Sequence, residues 1–273
     1  MKLIITEEQY RLIIENEDKV EKNLINFTQF MKINPSKWDD MFLHINKKKG
    51  GIYDGYYIYE DLILSGNEIK SLNYLIRVKG DLSVFGTEVE SMDRLEEVGG
   101  DLNILLCKIK SLPSLKKVGK GINTKECELE SLPELVEVGE SLNLFESKII
   151  NLDSLVRVGK TVELSYSKIK SLPELESVGW HLIMDSSEIE SIPKLVEVGR
   201  DLMLNNSSIR NLDSLIRVGD SLGLRQSKIE SLVSLKSVGW RLTLDNTPLG
   251  NRLSNTMSKN EIKNKFGAEY VVI

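Results

Sequence analysis

From Asp61 to Gly250 the apolar residues fall in the same six columns every twenty residues. Numbering the repeat from Asp61, position 2 is Leu62, Leu82, Leu102, Ile122, Leu142, Val162, Leu182, Leu202, Leu222 and Leu242. Position 4 is apolar in every copy but Thr124, and position 9 is always Ile, Val or Leu. Positions 12, 15 and 18 carry a Leu-type residue, Leu and Val, the last marked by Val78, Val98, Val118, Val138, Val158, Val178, Val198, Val218 and Val238. A period in this range, held this strictly, implies a solenoid in which each repeat buries its apolar side against the next.

Within one repeat, alternation at positions 2 and 4 predicts a short half-buried strand, followed by a turn at positions 5 to 7. Positions 8 to 10 alternate again, as in Glu128-Leu129-Glu130, and predict a second short extended segment. Proline at position 13 (Pro113, Pro133, Pro173, Pro193), replaced by Asp93, Asp153 and Asp213, predicts a turn or a single turn of 3₁₀ helix, because proline donates no ladder hydrogen bond. Glycine at position 19, from Gly99 to Gly239, permits a bend into the next strand. The expected fold class is a mainly β repeat solenoid of parallel stacked short strands with turns.

The pattern resembles the leucine-rich repeat family. Leu62-Ile63-Leu64-Ser65-Gly66-Asn67-Glu68-Ile69 matches that family's L-x-L-x-x-N-x-L. Later copies replace the asparagine by Thr87, Cys107, Cys127, Ser147, Ser167, Ser187, Ser207, Ser227 and Thr247. The resemblance spans about residues 52–250. It implies an inward polar side chain at position 7 that bonds neighbouring backbone, and a protein-binding surface.

The flanks do not carry the repeat. Residues 1–50 are expected to form a small helical cap, with Thr6 and Gln9 as a capping box and Val20, Leu24, Phe27 and Met31 at helical spacing. GIYDGYYIYE (51–60) reads as a degenerate first rung, with Ile52 and Ile58 on two of the columns and Gly55 missing a third. Residues 51–250 then form the solenoid and 251–273 a C-terminal cap. In that cap Ser258 and Glu261 open a helix to about Phe266, Gly267 ends it, and EYVVI (269–273) forms a final strand over the last rung. The MKLIITEEQ opening and this kind of tail are similar to those of repeat proteins from tailed bacteriophages.

A net charge of −5 argues against a broad cationic nucleic-acid surface. No apolar run approaches membrane-spanning length, and Glu7 and Glu8 interrupt any signal-peptide apolar region. The expected location is a bacterial host's cytoplasm, or a virion. Charges alternate between neighbouring copies: Glu88 and Glu90 lie beside Lys108 and Lys110, then Glu128 and Glu130, and position 17 runs Arg77, Glu97, Lys117, Glu137, Arg157. Such pairs read as pairing specificity along a nearly uniform stack. Cys107 and Cys127 share one column and read as small buried residues; a disulfide or half a metal site is the alternative. His44 and His181 are isolated, and no nucleophile–base pair, phosphate-binding glycine loop or calcium loop appears. No enzyme activity, cofactor or metal is expected.

The residues that point outwards from the first strand are then the informative ones. Phe85, Leu105 and Phe145 share position 5, Ile183 and Met203 share position 3, Trp180 and Trp240 follow the turn glycine, and Tyr166 lies in a turn. Large apolar groups left outside mark interaction sites unless a terminal segment covers them. The expected function is a non-enzymatic scaffold that binds a host or viral protein through this face at Trp180, Ile183, Met203, Tyr166, Trp240, Phe85, Leu105 and Phe145. The alternative is an assembly component that packs against copies of itself by its ends or sheets.

Overall fold

The computed structural model describes residues 56–58, 61–65, 70–73, 75–124 and 127–273. The expected N-terminal helices, the Lys47–Lys49 triplet, His44, Ile52, Gly55 and the Asn67–Ile69 part of the first repeat lie outside the described residues. Within them the chain is a parallel β solenoid. One sheet has eleven strands and the other ten, and every neighbour in each solenoid ladder comes from the next repeat.

The eleven-stranded sheet is built on the predicted first strand. It begins with Leu62–Ser65 and Leu82–Phe85, continues through two-residue strands such as Leu142–Asn143 and Leu182–Ile183, and reaches Arg241–Thr243. Its register is one repeat throughout, as in Leu182↔Leu202. The chain's last strand, Tyr270–Val272, closes it by pairing Leu242 with Val271.

The second sheet does not lie at positions 8 to 10. It lies at positions 17 and 18, in strands such as Glu137–Val138 and Arg157–Val158. Positions 8 to 10 form no strand, and position 11 adds only isolated bridges such as Ser111↔Ser131. The reason lies in the turn between them. The Leu95 N–H donates to the Met92 carbonyl at 3.1 Å, and Leu215 repeats this to Leu212 at 3.0 Å. This tight turn at positions 12 to 15 leaves the chain extended only from position 16 onwards. The strand Tyr56–Ile58 starts this sheet, with Ile58 opposite Val78, so the degenerate copy does supply a rung there.

Among the described residues all six apolar columns are buried in one continuous core. The close stacking is decided at position 19. A Cβ built on Gly159 or Gly179 would stand 2.0 Å from the carbonyl oxygen of the glycine one rung before. The glycine column therefore exists for close approach of backbone to backbone, a use that needs no unusual φ.

Left-handed backbone occurs elsewhere, at position 6. Gly86, Leu106, Glu146, Tyr166, Ser186, Asn206, Gln226 and Asn246 all have φ between 52° and 59°. The turn needs it: Tyr166 N–H reaches the Asp185 carbonyl and Asn206 N–H that of Arg225. A side chain in this region costs about 1–2 kcal/mol, whereas glycine's greater freedom when unfolded costs about 0.5–1 kcal/mol. Gln226 is exposed and polar, so its truncation loses little apolar burial. Gln226→Gly is therefore expected to stabilise the protein by about 0.5–1 kcal/mol, read as a higher urea midpoint.

The C-terminal end is sealed by three devices. Helix α1, Pro248–Ser254, was not foreseen: Thr247 keeps its place in the position 7 column, donating to the Leu244 carbonyl at 2.6 Å, while its oxygen accepts from Gly250 N–H at 2.9 Å. One residue thus ends the last rung and caps the helix, with Pro248 at the first helical position. Helix α2, Lys259–Phe266, has the predicted Ser258–Glu261 capping box and ends at Gly267 with φ 63°. Ile262 and Phe266 turn inwards, and the strand Tyr270–Val272 follows.

Candidate protein-binding face

The first strand presents positions 1, 3 and 5 outwards, and its two margins are position 20 on one side and position 6 on the other. At position 1, Asp81 accepts the backbone N–H of Asp101 at 2.8 Å, and Asp101 that of Gly121 at 2.8 Å. These carboxylates hold the rungs together. The Asp101 backbone N–H, and then Lys120 at 3.1 Å, keep the Asp81 carboxyl below its ordinary range. His181 sits in the same column with Nδ1 2.9 Å from the Asp201 carboxylate, so it too is occupied between rungs.

Trp180 stands on the position 20 margin and is 42% exposed. Its backbone is fixed on both sides, donating to the Lys160 carbonyl at 2.9 Å and accepting from Arg200 at 2.8 Å. Its ring is flanked by the same two residues, with Lys160 Nζ 5.5 Å and Arg200 Cζ 4.9 Å from the ring centroid. Cations at these distances are attracted to the ring face. These two cations belong to the site and were not anticipated; the signal for them runs across repeats, in the position 20 column, rather than along the chain.

On the opposite margin Tyr166 is 59% exposed and meets Phe145 edge to face at 5.8 Å. Phe85 is exposed further along, with Leu105 half-buried beside exposed Leu106. Ile183 and Met203 are direct strand neighbours at the centre of the face, yet both are half-buried. Met203 lies across Gly223, where a Cβ would come 2.7 Å from its sulfur. Trp240 is exposed but engaged within the chain, 6.1 Å from Tyr270 of the final strand and with Arg241 Cζ 4.7 Å from its centroid. The eight predicted residues thus form two margins and a half-buried centre instead of one continuous patch.

Apolar exposure is not confined to this face, since Val136, Val196 and Ile216 at position 16 are also exposed. Beside the second sheet runs a shallow cavity of about 320 Å³ lined by Glu137, Arg157, Ser177, Glu197 and the glycines at 139, 159, 179 and 199. Its charges are paired: Glu137 lies 3.1 Å from Arg157 and 3.3 Å from Lys117, and Glu197 is paired with Arg217. Arg157 first, and Lys117 after it, hold the Glu137 carboxyl below its ordinary range against the effect of burial. A carboxylate so held is a poor proton donor or acceptor near neutral pH. The position 17 charge alternation thus appears as ion pairs between rungs, including Arg77–Glu97 at 3.0 Å. Each contributes about 0–1 kcal/mol at such exposure.

Part of the position 7 column makes backbone bonds within its own rung, whereas the buried Ser147 and Ser167 hydroxyls make none. Ser187, Ser207 and Ser227 each donate to the carbonyl of position 4 at 2.7 Å. Among the described residues no three His, Cys, Asp or Glu side chains gather as a metal site requires, and no helix is long and apolar enough to cross a membrane. Neither the protein-family models nor the curated proteins compared with this sequence match it.

Proposed function

We propose that this chain is a non-enzymatic scaffold of the leucine-rich repeat type that binds another protein through its first-strand face. The observation that carries the reading is Trp180, an exposed aromatic ring fixed between Lys160 and Arg200 on a backbone bonded to both neighbouring rungs. The Phe145–Tyr166 pair supplies a second fixed aromatic group across the strand. Side chains held in place before binding lose little freedom on association, and Trp and Tyr dominate binding energy at interfaces. On the likeness of its two ends, the chain belongs to a tailed bacteriophage and meets a host or viral protein in the bacterial cytoplasm or the virion.

The test begins with capture of a partner from bacterial lysate and its identification, followed by titration against wild type and against the Trp180→Ala, Tyr166→Ala double variant. Loss of two hot-spot rings is expected to weaken binding by about tenfold or more, with an unchanged urea melt. Equal affinity in the two proteins would remove this face from the interaction.

The assembly reading has one observation behind it. Tyr270–Val272 is the last strand of its sheet, with no neighbour strand on its outer side among the described residues. Such an edge is a template for pairing, although three residues make it a short one. Light scattering separates the two readings: a monomer supports the scaffold, and a defined symmetric oligomer supports assembly.

A further inference from the structure

Cys107 and Cys127 occupy position 7 on adjacent rungs with their sulfur atoms 3.1 Å apart. Elsewhere in this column the hydroxyls of Ser187, Ser207 and Ser227 bond the position 4 carbonyl of their own rung. Cys107 does the same, reaching the Ile104 carbonyl at 3.3 Å. Cys127 breaks the pattern: its sulfur leans onto the preceding rung, 3.4 Å from the Ile109 carbonyl, and so against Cys107. Parallel strands stack at about 4.8 Å, inside the roughly 4.4–6.8 Å between Cα atoms that a disulfide spans. The sulfurs need to close by only about 1 Å to reach bonding distance.

We infer that Cys107 and Cys127 form a peroxide-oxidisable dithiol, with Cys127 the attacking sulfur and Cys107 the resolving one, which closes into a disulfide between two rungs. Exposure separates the two roles, since Cys107 is buried and Cys127 only partly so. Electrostatics agrees with the assignment. With its S–H turned from Ile104 to Cys127, the Cys107 thiol favours the Cys127 thiolate, helped by the backbone around Leu129 and Glu128 against the effect of burial. The same contact and burial push Cys107 the other way.

The chemistry balances with hydrogen peroxide as oxidant. The Cys127 thiolate attacks one peroxide oxygen; an S–O bond forms, the O–O bond breaks, and hydroxide leaves. Cys107 then attacks the sulfenic sulfur; the S–S bond forms and the S–O bond breaks. The proton from each thiol leaves with a departing hydroxide as water, so two thiols and one peroxide give one disulfide and two waters.

The test is intact mass and thiol count on the full chain after graded peroxide treatment, with dimedone as the sulfenic-acid probe. In wild type both thiols are expected to vanish together, with a mass loss of two hydrogens, no crosslinked dimer, and recovery by dithiothreitol. Cys107→Ser should instead accumulate a dimedone adduct on Cys127, and Cys127→Ser should keep its Cys107 thiol. Serine occupies this column on other rungs, so both variants retain the fold, which circular dichroism checks. The oxidised wild type should also unfold at a higher urea concentration than the reduced form, because the bridge closes a loop of twenty residues. Survival of both thiols at peroxide levels that oxidise free cysteine would overturn the inference. So would independent oxidation of the two sulfurs without a bridge, or faster reaction of Cys107 than of Cys127.

Discussion

Gly179→Ala is expected to destabilise the solenoid by about 3 kcal/mol or more, well beyond the usual effect of one added methyl group. At a position whose backbone an alanine can adopt, the same change stabilises by about 0.4–1 kcal/mol, because it restricts the unfolded chain. The sign reverses here because the new Cβ would stand 2.0 Å from the Gly159 carbonyl oxygen and 2.8 Å from its carbon. Backbone cannot swing aside as a side chain does. Both rungs are tied into two ladders, by Val158↔Val178 in one sheet and Val162↔Leu182 in the other. Relief requires the rungs to separate, which lengthens the bonds from Gly179 N–H to the Val158 carbonyl and from Trp180 to Lys160, both 2.9 Å. A solenoid is coupled only through nearest neighbours, so the weakened junction should also split one cooperative urea transition into two, with a smaller slope for each. Gly223→Ala is the control: there the added Cβ meets the Met203 sulfur at 2.7 Å and the Asn205 amide at 3.0 Å, both ends of flexible side chains. A small change at Gly223 beside a large one at Gly179 would confirm the backbone clash as the cause. Equal, small changes at both would show that the stack tolerates wider spacing.

The comparison of these two glycines shows what the sequence makes legible. The glycine column is plain from Gly99 to Gly239, and so are the six apolar columns, because each inward residue repeats without exception or with one substitution such as Thr124. The first strand is readable because two inward residues, positions 2 and 4, alternate with polar ones. The strand at positions 17 and 18 is not readable in this way. It has one inward residue, Val, and its outward neighbour is charged or Ser, so no period of two can appear over so short a span. Its signal is the charge alternation of position 17, which is read only when one copy is laid on the next. The same holds for the candidate site. Exposure of Trp180, Tyr166 and Phe145 follows from their place outside the columns, whereas the half-burial of Ile183 and Met203 depends on the neighbouring rung, where Gly223 leaves a hollow that Met203 fills. Lys160 and Arg200 are each a full repeat from Trp180 in sequence and adjacent to it in space.

Leu175→Ala is expected to cost about 2–5 kcal/mol, the range for deleting a fully buried leucine side chain where the site collapses only in part. Leu175 is fully buried in the position 15 column between Leu155 and Leu195, with Leu172, Val178 and Leu182 of its own stretch also buried. Two features place the effect in the upper part of that range. The rungs above and below cannot approach to fill the void, because the glycine corner already holds them at contact distance. Nor can Leu175 be replaced from within its rung, because its backbone N–H closes the turn onto Leu172 and the strand at Ser177–Val178 begins two residues later. Val233 provides the comparison. It lies at position 13, is 77% exposed, and its truncation is expected to change stability by less than about 0.5 kcal/mol. Urea melts of the two variants check the column assignment directly. If Leu175→Ala leaves the midpoint where it was, position 15 does not face the core and the stacking of all six columns is wrong; if it falls while Val233→Ala does not, the turn at positions 12 to 15 divides inward from outward residues as the structure has it.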